Sequence, residues 1–380
     1  MSRLDELIQE HSPDGVEFLS LSELFNTRNG YTPSKSNKEY WENGVVPWFR
    51  MEDIRENGRI LSDSLQHVTE NAVKGTLFPA NSIIVATSAT IGEHALITVD
   101  SLANQRFTYL MLKEKYKDVF EIKFLYYYCF KLDTYCLSCL NQGNFASVDM
   151  AKFSNFKFPL VPLQVQSEIV RILDNFTELT AELTARKKQY EYYRNLLLEH
   201  PKNESFMVAI SDLGKWSGGK TPSTSNKEFW ENGTIPWISS KDMKFPTLED
   251  TEDHLTEKAL TEGGMTLLPE GTVAIVTRSG ILKHTFPVAY VPFRTTVNQD
   301  IKVLVVKEGI SARYVFHAMQ SYGEDIRKST KKQGGTVDSL DFQKVLAYEI
   351  PVPTLEVQNR LVEVLDKYES LVEPAGCKRA

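Results

Sequence analysis

Two stretches of the chain repeat apolar residues in an alternating four-three spacing. Val165, Ile169, Ile172, Phe176, Leu179, Leu183, Tyr190, Tyr193 and Leu197 mark the first, with only Arg186 breaking the series; Val357, Leu361, Val364, Tyr368 and Leu371 mark the second. A period of 3.5 on a polar background predicts long helices with a coiled-coil seam. At about 1.5 Å per residue the first helix would be a rod of roughly 50 Å. A short N-terminal helix carrying Leu4, Leu7 and Ile8 matches Tyr193, Leu196 and Leu197 at the far end of the central stretch. The economical arrangement packs the C-terminal helix antiparallel along the central one, with the N-terminal helix completing its outer end. Elsewhere short β-branched runs such as Ile83-Ile84-Val85 and Val273-Ala274-Ile275-Val276 lie between Gly, Pro and Asn punctuation and lead to an amphipathic helix. That alternation predicts an α/β fold.

The pattern occurs twice. Thr32-Pro33-Ser34 through Trp41-Glu42-Asn43-Gly44 to Pro47-Trp48 recurs as Thr221-Pro222-Ser223 through Trp230-Glu231-Asn232-Gly233 to Pro236-Trp237, differing only at Lys35/Thr224, Tyr40/Phe229, Val45/Thr234 and Val46/Ile235. Weaker matches extend it: Asn104-Gln105 with Asn298-Gln299, Gln142-Gly143 with Gln333-Gly334, and Pro159, Leu163, Val165, Gln166 and Asp174 with Pro351, Leu355, Val357, Gln358 and Asp366. The chain is therefore two tandem units of about 190 residues, which a fixed internal repeat implies.

Composition narrows the classes. With 380 residues, 42% hydrophobic and 24% charged, the chain suits two to three folded domains and excludes disorder. No run of about 18 apolar residues predicts a membrane span. The acidic N-terminus does not read as a signal peptide, and four cysteines give no disulfide framework, so a cytoplasmic location is expected. A net charge of −7 excludes a uniformly basic nucleic-acid binder but leaves room for a local basic face.

The duplicated Thr-Pro-Ser … Trp-Glu-Asn-Gly … Pro-Trp block, and the Pro159-Leu160-Val161-Pro162-Leu163 … Gln166 and Pro351-Val352-Pro353 … Gln358 leads into the long helices, resemble the DNA specificity subunits of Type I restriction–modification systems over essentially the whole chain. The resemblance implies an α/β fold with two pseudo-symmetric globular target recognition domains separated by a long antiparallel coiled-coil helix pair. Its expected boundaries are 1–19 for the N-terminal helix and lead-in, 20–160 for the first domain, 161–200 for the central helix, 201–352 for the second domain and 353–380 for the C-terminal helix. It implies double-stranded DNA as ligand, two methyltransferase (modification) subunits as partners, and restriction/translocase subunits in the same complex, with no membrane role. In such a complex the partners use S-adenosylmethionine; the chain itself is expected to have no catalytic centre, metal or cofactor. The rival class is a protein-interaction scaffold of two repeated domains on a coiled coil, which a heptad stripe alone does not distinguish.

Base edges are read by Arg, Lys, Asn, Gln and small hydroxyls, and phosphates are held by cations and hydroxyls. On that chemistry the first unit offers Arg50, Thr87, Ser88, Thr90, Arg106, Gln142 and Asn144 as DNA contacts. The second offers Ser239, Lys241, Arg278, Ser279 and the cluster Arg327, Lys328, Lys331, Lys332 and Gln333. The two sets differ, which predicts an asymmetric site with two different half-sequences. The near-identical Thr-Pro-Ser … Pro-Trp block cannot distinguish half-sites and reads as structural, or as a shared phosphate contact through Lys38 and Lys227. Gly214 to Thr221 matches a phosphate-binding loop letter for letter, but Pro222 disfavours the helix that must follow and the first unit lacks the pattern. Cys136 and Cys139, with Cys129, have the spacing of half a zinc site but share the apolar face of a helix. None of the 16 prolines follows Asn or Asp, so the chain lacks the Asn/Asp-Pro-Pro-Tyr/Phe loop of an adenine methyltransferase. A nuclease reading through Asp100, Glu121 and Lys123 has no counterpart in the repeat.

Overall fold

A computed structural model describes residues 2–13, 15–141, 146–199, 205–332, 334 and 336–372. The chain divides into two compact units, Met1–Thr180 and Ala181–Ala380. Six helices are used below: α1 (Arg3–His11), α2 (Ile122–Ser138), α3 (Leu163–Glu199), α4 (Ala312–Ser321), α5 (Gly323–Thr330) and α6 (Leu355–Val372). The 37 residues of α3 are not a separate body, since the division at 180 gives its first half to one unit and its second half to the other.

Each unit is built around a mainly antiparallel sheet. In the first the strand order is Phe25–Asn29, Phe107–Leu112, Ser82–Ala86, His94–Ile97, Ile60–Leu61; in the second it is Gly214–Gly218, Ile301–Val306, Thr272–Val276, Val288–Val291. The central strand Ser82–Ala86 is buried throughout. Its side chains alternate between faces as strand geometry requires: Ile83 and Val85 join Phe124, Leu125, Cys129 and Leu132 of α2, while Ile84 and Ala86 join Trp48, Phe49 and Val68. Those last residues come from a second, three-stranded sheet, His67–Val68, Val46–Phe49, Leu102–Ala103, matched in the second unit by Asp253–Leu255, Ile235–Ile238, Thr296–Val297.

The duplicated block builds this second sheet. Trp41 Nε1 donates to Ser34 O at 3.0 Å and Trp48 Nε1 to Tyr31 O at 2.9 Å, and the two indoles meet edge to face at 5.0 Å. Trp230 and Trp237 repeat this at 3.1, 3.1 and 5.1 Å. Gly44 and Gly233 are required by close approach: a Cβ would come within 2.5 Å of the Val68 carbonyl carbon or the His254 carbonyl oxygen. The block's structural role therefore has a specific content, two indole N–H groups satisfied by main chain in a half-buried setting.

A two-stranded ribbon closes each unit, Glu17–Ser20 on Lys157–Leu160 and Phe206–Ala209 on Glu349–Val352, with Phe18 opposite Pro159 and Met207 opposite Pro351. Just beyond it lies a glutamine clamp. Gln166, fully buried, accepts from Glu121 N (2.9 Å) and donates to Val119 O (2.9 Å) and Val161 O (2.7 Å). Gln358 accepts from Ser311 N (2.8 Å) and donates to Gly309 O (3.4 Å) and Pro353 O (2.8 Å). Each carboxamide ties the start of a long helix to the loop before α2 or α4. Gln358→Ala strands a buried N–H and two carbonyls, and is expected to cost the second unit about 3 kcal/mol, read as a shift in the urea midpoint with unchanged slope.

The long helices differ from the expected seam. Among the helix-packing residues, Val165 is buried and Ile169, Ile172, Val357 and Leu361 are half-buried, but Phe176, Leu179 and Leu183 are 64%, 60% and 40% exposed. Val364, Tyr368 and Leu371 are exposed as well. On α6 the buried positions are Gln358, Leu365, Glu369 and Val372, one residue out of register with the apolar series and so about 100° round the helix. The packed face carries polar residues that bond to α4, which is why an apolar count misplaces it. Within the second unit α6 meets α3 where Tyr193 stacks on Tyr368 at 6.2 Å.

Candidate nucleic-acid interface

The candidate contacts gather where the central strand of each sheet ends. Beyond Ala86 the chain runs Thr87-Ser88-Ala89 and forms a short ladder: Val148 N donates to Thr87 O at 2.9 Å, Ser88 bridges Ser147, and Asn141 N donates to Ser147 O at 2.9 Å. Beyond Val276 the second unit repeats it: Leu340 N donates to Thr277 O at 2.9 Å, Arg278 bridges Ser339, and Lys332 N donates to Ser339 O at 2.9 Å. The same main-chain frame thus presents Ser88, Ser147 and Asn141 in one unit and Arg278, Ser339, Lys331 and Lys332 in the other. Behind each ladder lies a turn, with Thr87 N donating to Arg106 O (3.0 Å) and Thr277 N to Asp300 O (2.8 Å), so Arg106 of the first unit answers to an aspartate in the second.

The second ladder is cationic. Arg278 and Lys332 are exposed, and among the described residues neither side chain has a hydrogen-bond or ion-pair partner. Lys331 is held by Asp338 at 2.7 Å and Lys328 by Glu324 at 3.2 Å. Lys328, Lys331, Lys332, Gly334, Val337, Asp338 and Ser339 line an open pocket of about 410 Å³. Ser279 caps the turn Gly280–Lys283 beside it. In the first unit Arg106 is exposed, and Ser88 and Thr90 are half-buried.

Three expected contacts spend their polar groups inside the fold. Thr87 is buried, its hydroxyl 2.9 Å from that of Thr108 inside the sheet. Ser239 is buried, its N–H and Oγ both bonded to Asp242 at 2.8 and 2.9 Å. Arg327, which headed the best basic cluster, is only 13% exposed and structural. Its Nη1 donates to Leu282 O and Lys283 O at 3.1 Å each, and its other nitrogens grip Glu324 at 2.9 and 2.6 Å, holding that carboxyl at about 2. The guanidinium is a bracket between α5 and the Gly280–Lys283 turn. Lys241 is exposed, with its Nζ 3.5 Å from Asp253. Arg50 is half-buried over the Trp48 ring at 5.7 Å, one residue beyond Phe49, whose carbonyl accepts the Asn104 N–H at 3.0 Å. Gln142, Asn144 and Gln333 lie outside the described residues. Ser147 and Ser339, opposite Ser88 and Arg278, were absent from the expected set because a lone serine in a polar loop carries no signal.

Other chemistries meet specific obstacles. Gly214–Gly218 is a strand paired with Ile301–Val306, so the phosphate-loop pattern does not form a phosphate loop. Cys129, Cys136 and Cys139 are buried. Burial pushes the Cys129 thiol up and the Cys136 thiol to about 12, whereas metal ligation and nucleophilic attack need the thiolate. Ligand atoms of His317, Asp366 and Glu369 lie within 4.8 Å of one another. Arg313 already supplies the cation there, with Nε donating to Asp366 at 2.8 Å and Nη2 bonded to Glu369. No helix among the described residues is long and apolar enough to cross a membrane.

Comparison with known proteins gives a consistent picture. A family model described as Type I restriction modification DNA specificity domain matches residues 13–190 and 203–374. The chain is 42% identical to the Type I restriction enzyme EcoprrI specificity subunit of Escherichia coli, over 98% of this chain and 92% of that one. It is 42% identical to the EcoR124I/EcoR124II specificity subunit of the same organism over 66% of this chain and 64% of that one. A crystal structure of the S subunit of a Type I restriction–modification system from M. genitalium superposes with a TM-score of 0.60 at 15% identity, covering 94% of this chain and 93% of that one.

Proposed function

The chain belongs to the Type I restriction–modification DNA specificity family, and on that premise we propose that each of its units reads one half of an asymmetric, bipartite DNA site. The observation that carries the reading is the pair of ladders. One main-chain frame appears twice with different side chains, Ser88 and Ser147 with Arg106 nearby against Arg278 and Ser339 with Asp300 nearby. A shared frame with exchanged side chains is what two related readers of different sequences require, since hydroxyls and guanidinium groups select different base edges. Arg106 and Lys332 seat the phosphates. Binding carried by phosphate contacts falls as salt rises, and with so few of them the isolated chain binds DNA weakly.

The chain supplies the address, and methyltransferase subunits supply methyl transfer to an adenine lifted from the stack. Two of these subunits dock on the long helices, with restriction/translocase subunits joining the same complex. Phe176 and Leu179, exposed on α3 in the first unit, and Val364, Tyr368 and Leu371, exposed on α6 in the second, support this docking. Exposed apolar stripes of this kind mark protein contacts.

Mapping methylated adenines in cells that express the cognate methyltransferase with and without this chain tests the proposal. A bipartite, asymmetric motif present only with the chain is expected. Exchange of residues 20–160 for the corresponding domain of another specificity subunit should change one half of that motif and leave the other. A palindromic motif, or a change in both halves, overturns the assignment.

A further inference from the structure

The turn behind each ladder carries a polar pair that the candidate contacts do not include. In the first unit Thr32 Oγ1 donates to Gln105 Oε1 at 2.5 Å; in the second Thr221 Oγ1 donates to Gln299 Oε1 at 2.6 Å. Both glutamines are exposed, and each sits at the tip of a turn capped by the asparagine before it. Asn104 Oδ1 accepts from Arg106 N at 3.0 Å, and Asn298 Oδ1 accepts from Asp300 N at 2.9 Å and Ile301 N at 3.1 Å. With the carboxamide oxygen taken by threonine, the Nε2 group, two N–H donors, faces away from the pair and has no partner among the described residues.

The main chain enforces the arrangement. Tyr31 N donates to Ala103 O at 2.8 Å and Lys220 N to Val297 O at 3.0 Å, which brings the Thr-Pro-Ser block against the turn. Gly30 and Gly219 permit that approach, since a Cβ would come within 2.3 Å of Ala103 O or 1.7 Å of Val297 O. This accounts for the Gly219-Lys220-Thr221 of the phosphate-loop pattern: the glycine admits the strand, and the threonine orients a glutamine. The turn is bonded in turn to the first residue of the ladder, through Arg106 O and Thr87 N or Asp300 O and Thr277 N.

We infer that Gln105 and Gln299 are positioning residues whose amide N–H groups hold a DNA phosphate oxygen in each half-site. The inference rests on the DNA-reading assignment above. The geometry is the same in both units while the ladders differ, so the pair engages something both half-sites share, and the sugar–phosphate backbone is the shared element. A neutral donor suits this role because it fixes register and leaves base selection to the ladder. The fixed oxygen leaves only donors for the ligand, as an anionic acceptor needs.

The test uses Gln105→Glu and Gln299→Glu in the complete complex with methyltransferase subunits, on a duplex containing the site mapped for the unmodified protein. A carboxylate still accepts the threonine hydroxyl, so the turn is kept, and unchanged thermal melting verifies this. Each substitution places a negative charge against the phosphate and is expected to weaken binding about tenfold at moderate salt, with the methylated motif unchanged at every position. Thr32→Val and Thr221→Val, which release the glutamine without adding charge, should weaken binding by about threefold, as loss of preorganisation does. Affinity within twofold of the parent overturns the inference. An altered base at one position of the motif also overturns it, in favour of base readout by the glutamine. If the parent complex shows no sequence-selective binding, the DNA-reading assignment itself falls, and the inference with it.

Discussion

Arg313→Met is expected to destabilise the second unit by about 3 kcal/mol, because removing the cation of a largely buried ion-pair network withdraws it from two carboxylates at once. Arg313 is half-buried on α4 between two carboxylates of α6, Asp366 at 2.8 Å and Glu369, and its Nη1 also donates to Thr247 at 2.8 Å. The guanidinium lies over Tyr290 and Phe316, at 5.1 and 4.7 Å from the ring centroids. A methionine fills the volume but withdraws the guanidinium from Glu369, which is buried, while Asp366 keeps some solvent; the lower end of the usual range follows. Urea unfolding of the full chain should show the transition of the second unit moving to lower denaturant while that of the first is unchanged. DNA half-site selection through Arg278 should be lost at the same denaturant concentration. A midpoint unchanged within error would mean that Arg313 contributes packing only.

The same network makes the second unit sensitive to acid. His317, fully buried, donates from Nε2 to Asp366 at 2.8 Å, and its Nδ1, 3.3 Å from the Tyr190 hydroxyl, accepts in return; an ionised Asp366 can only accept, so this tautomer follows. Burial, with Arg313 and Arg194 nearby, depresses the His317 pKa despite the carboxylate. Burial opposes ionisation of Asp366 too, yet the bonds from His317 and Arg313 hold its pKa low. A depressed histidine pKa means that the unfolded chain binds the proton first. Its contribution is thus fully present above the unfolded value near 6.5 and is lost as pH falls from there toward the folded value. His317→Gln should flatten the pH dependence of the second unit's stability below about pH 6.5, measured by urea midpoints at several pH values. An unaltered profile would assign the acid sensitivity to other groups.

Much of this organisation was legible in the sequence because the repeat exposes it. The duplicated Thr-Pro-Ser … Pro-Trp block marked two units and read as structural, and its indole bonds to Ser34, Tyr31, Ser223 and Lys220 account for that. The placement of Ser88 and Arg278 just beyond a strand end was legible because short polar residues after a β-branched run mark such an end. What was not legible has a common cause, polar groups spent inside the fold. Arg327, Ser239 and Thr87 have the chemistry of DNA contacts, and only the positions of Glu324, Asp242 and Thr108 reveal that their donors are used. The helix face on α6 was misplaced for the same reason, since Gln358 and Glu369 are buried polar residues where an apolar stripe was sought. Composition does not report who bonds to whom.

Arg278→Ser gives the second ladder the residue that the first carries at Ser88, and it separates the two roles an exposed arginine can play beside DNA. If Arg278 reads a guanine through the paired acceptors of its major-groove edge, the substitution relaxes one position of the second half-site. Discrimination there should drop by about 1–3 kcal/mol, or roughly 5–150-fold in relative binding. Methylation would then spread to sites differing at that base, with the first half-site unchanged. If instead Arg278 only neutralises a phosphate, binding should weaken evenly across sequences and the slope of log affinity against log salt should fall by about one. Lys331 is the internal control, because its Nζ is committed to Asp338 at 2.7 Å and Lys331→Ser should do less to either quantity. The ladder favours readout: Arg278 is fixed at its main chain by Ser339, with Ser279 N bonded to Asp338 O at 3.0 Å on one side and Thr277 N to Asp300 O at 2.8 Å on the other. A side chain on so constrained a backbone loses little freedom on binding, and that matters more for selecting one base than for meeting a phosphate that every sequence offers. A motif and salt slope both unaltered by Arg278→Ser would remove the ladder from the recognition surface.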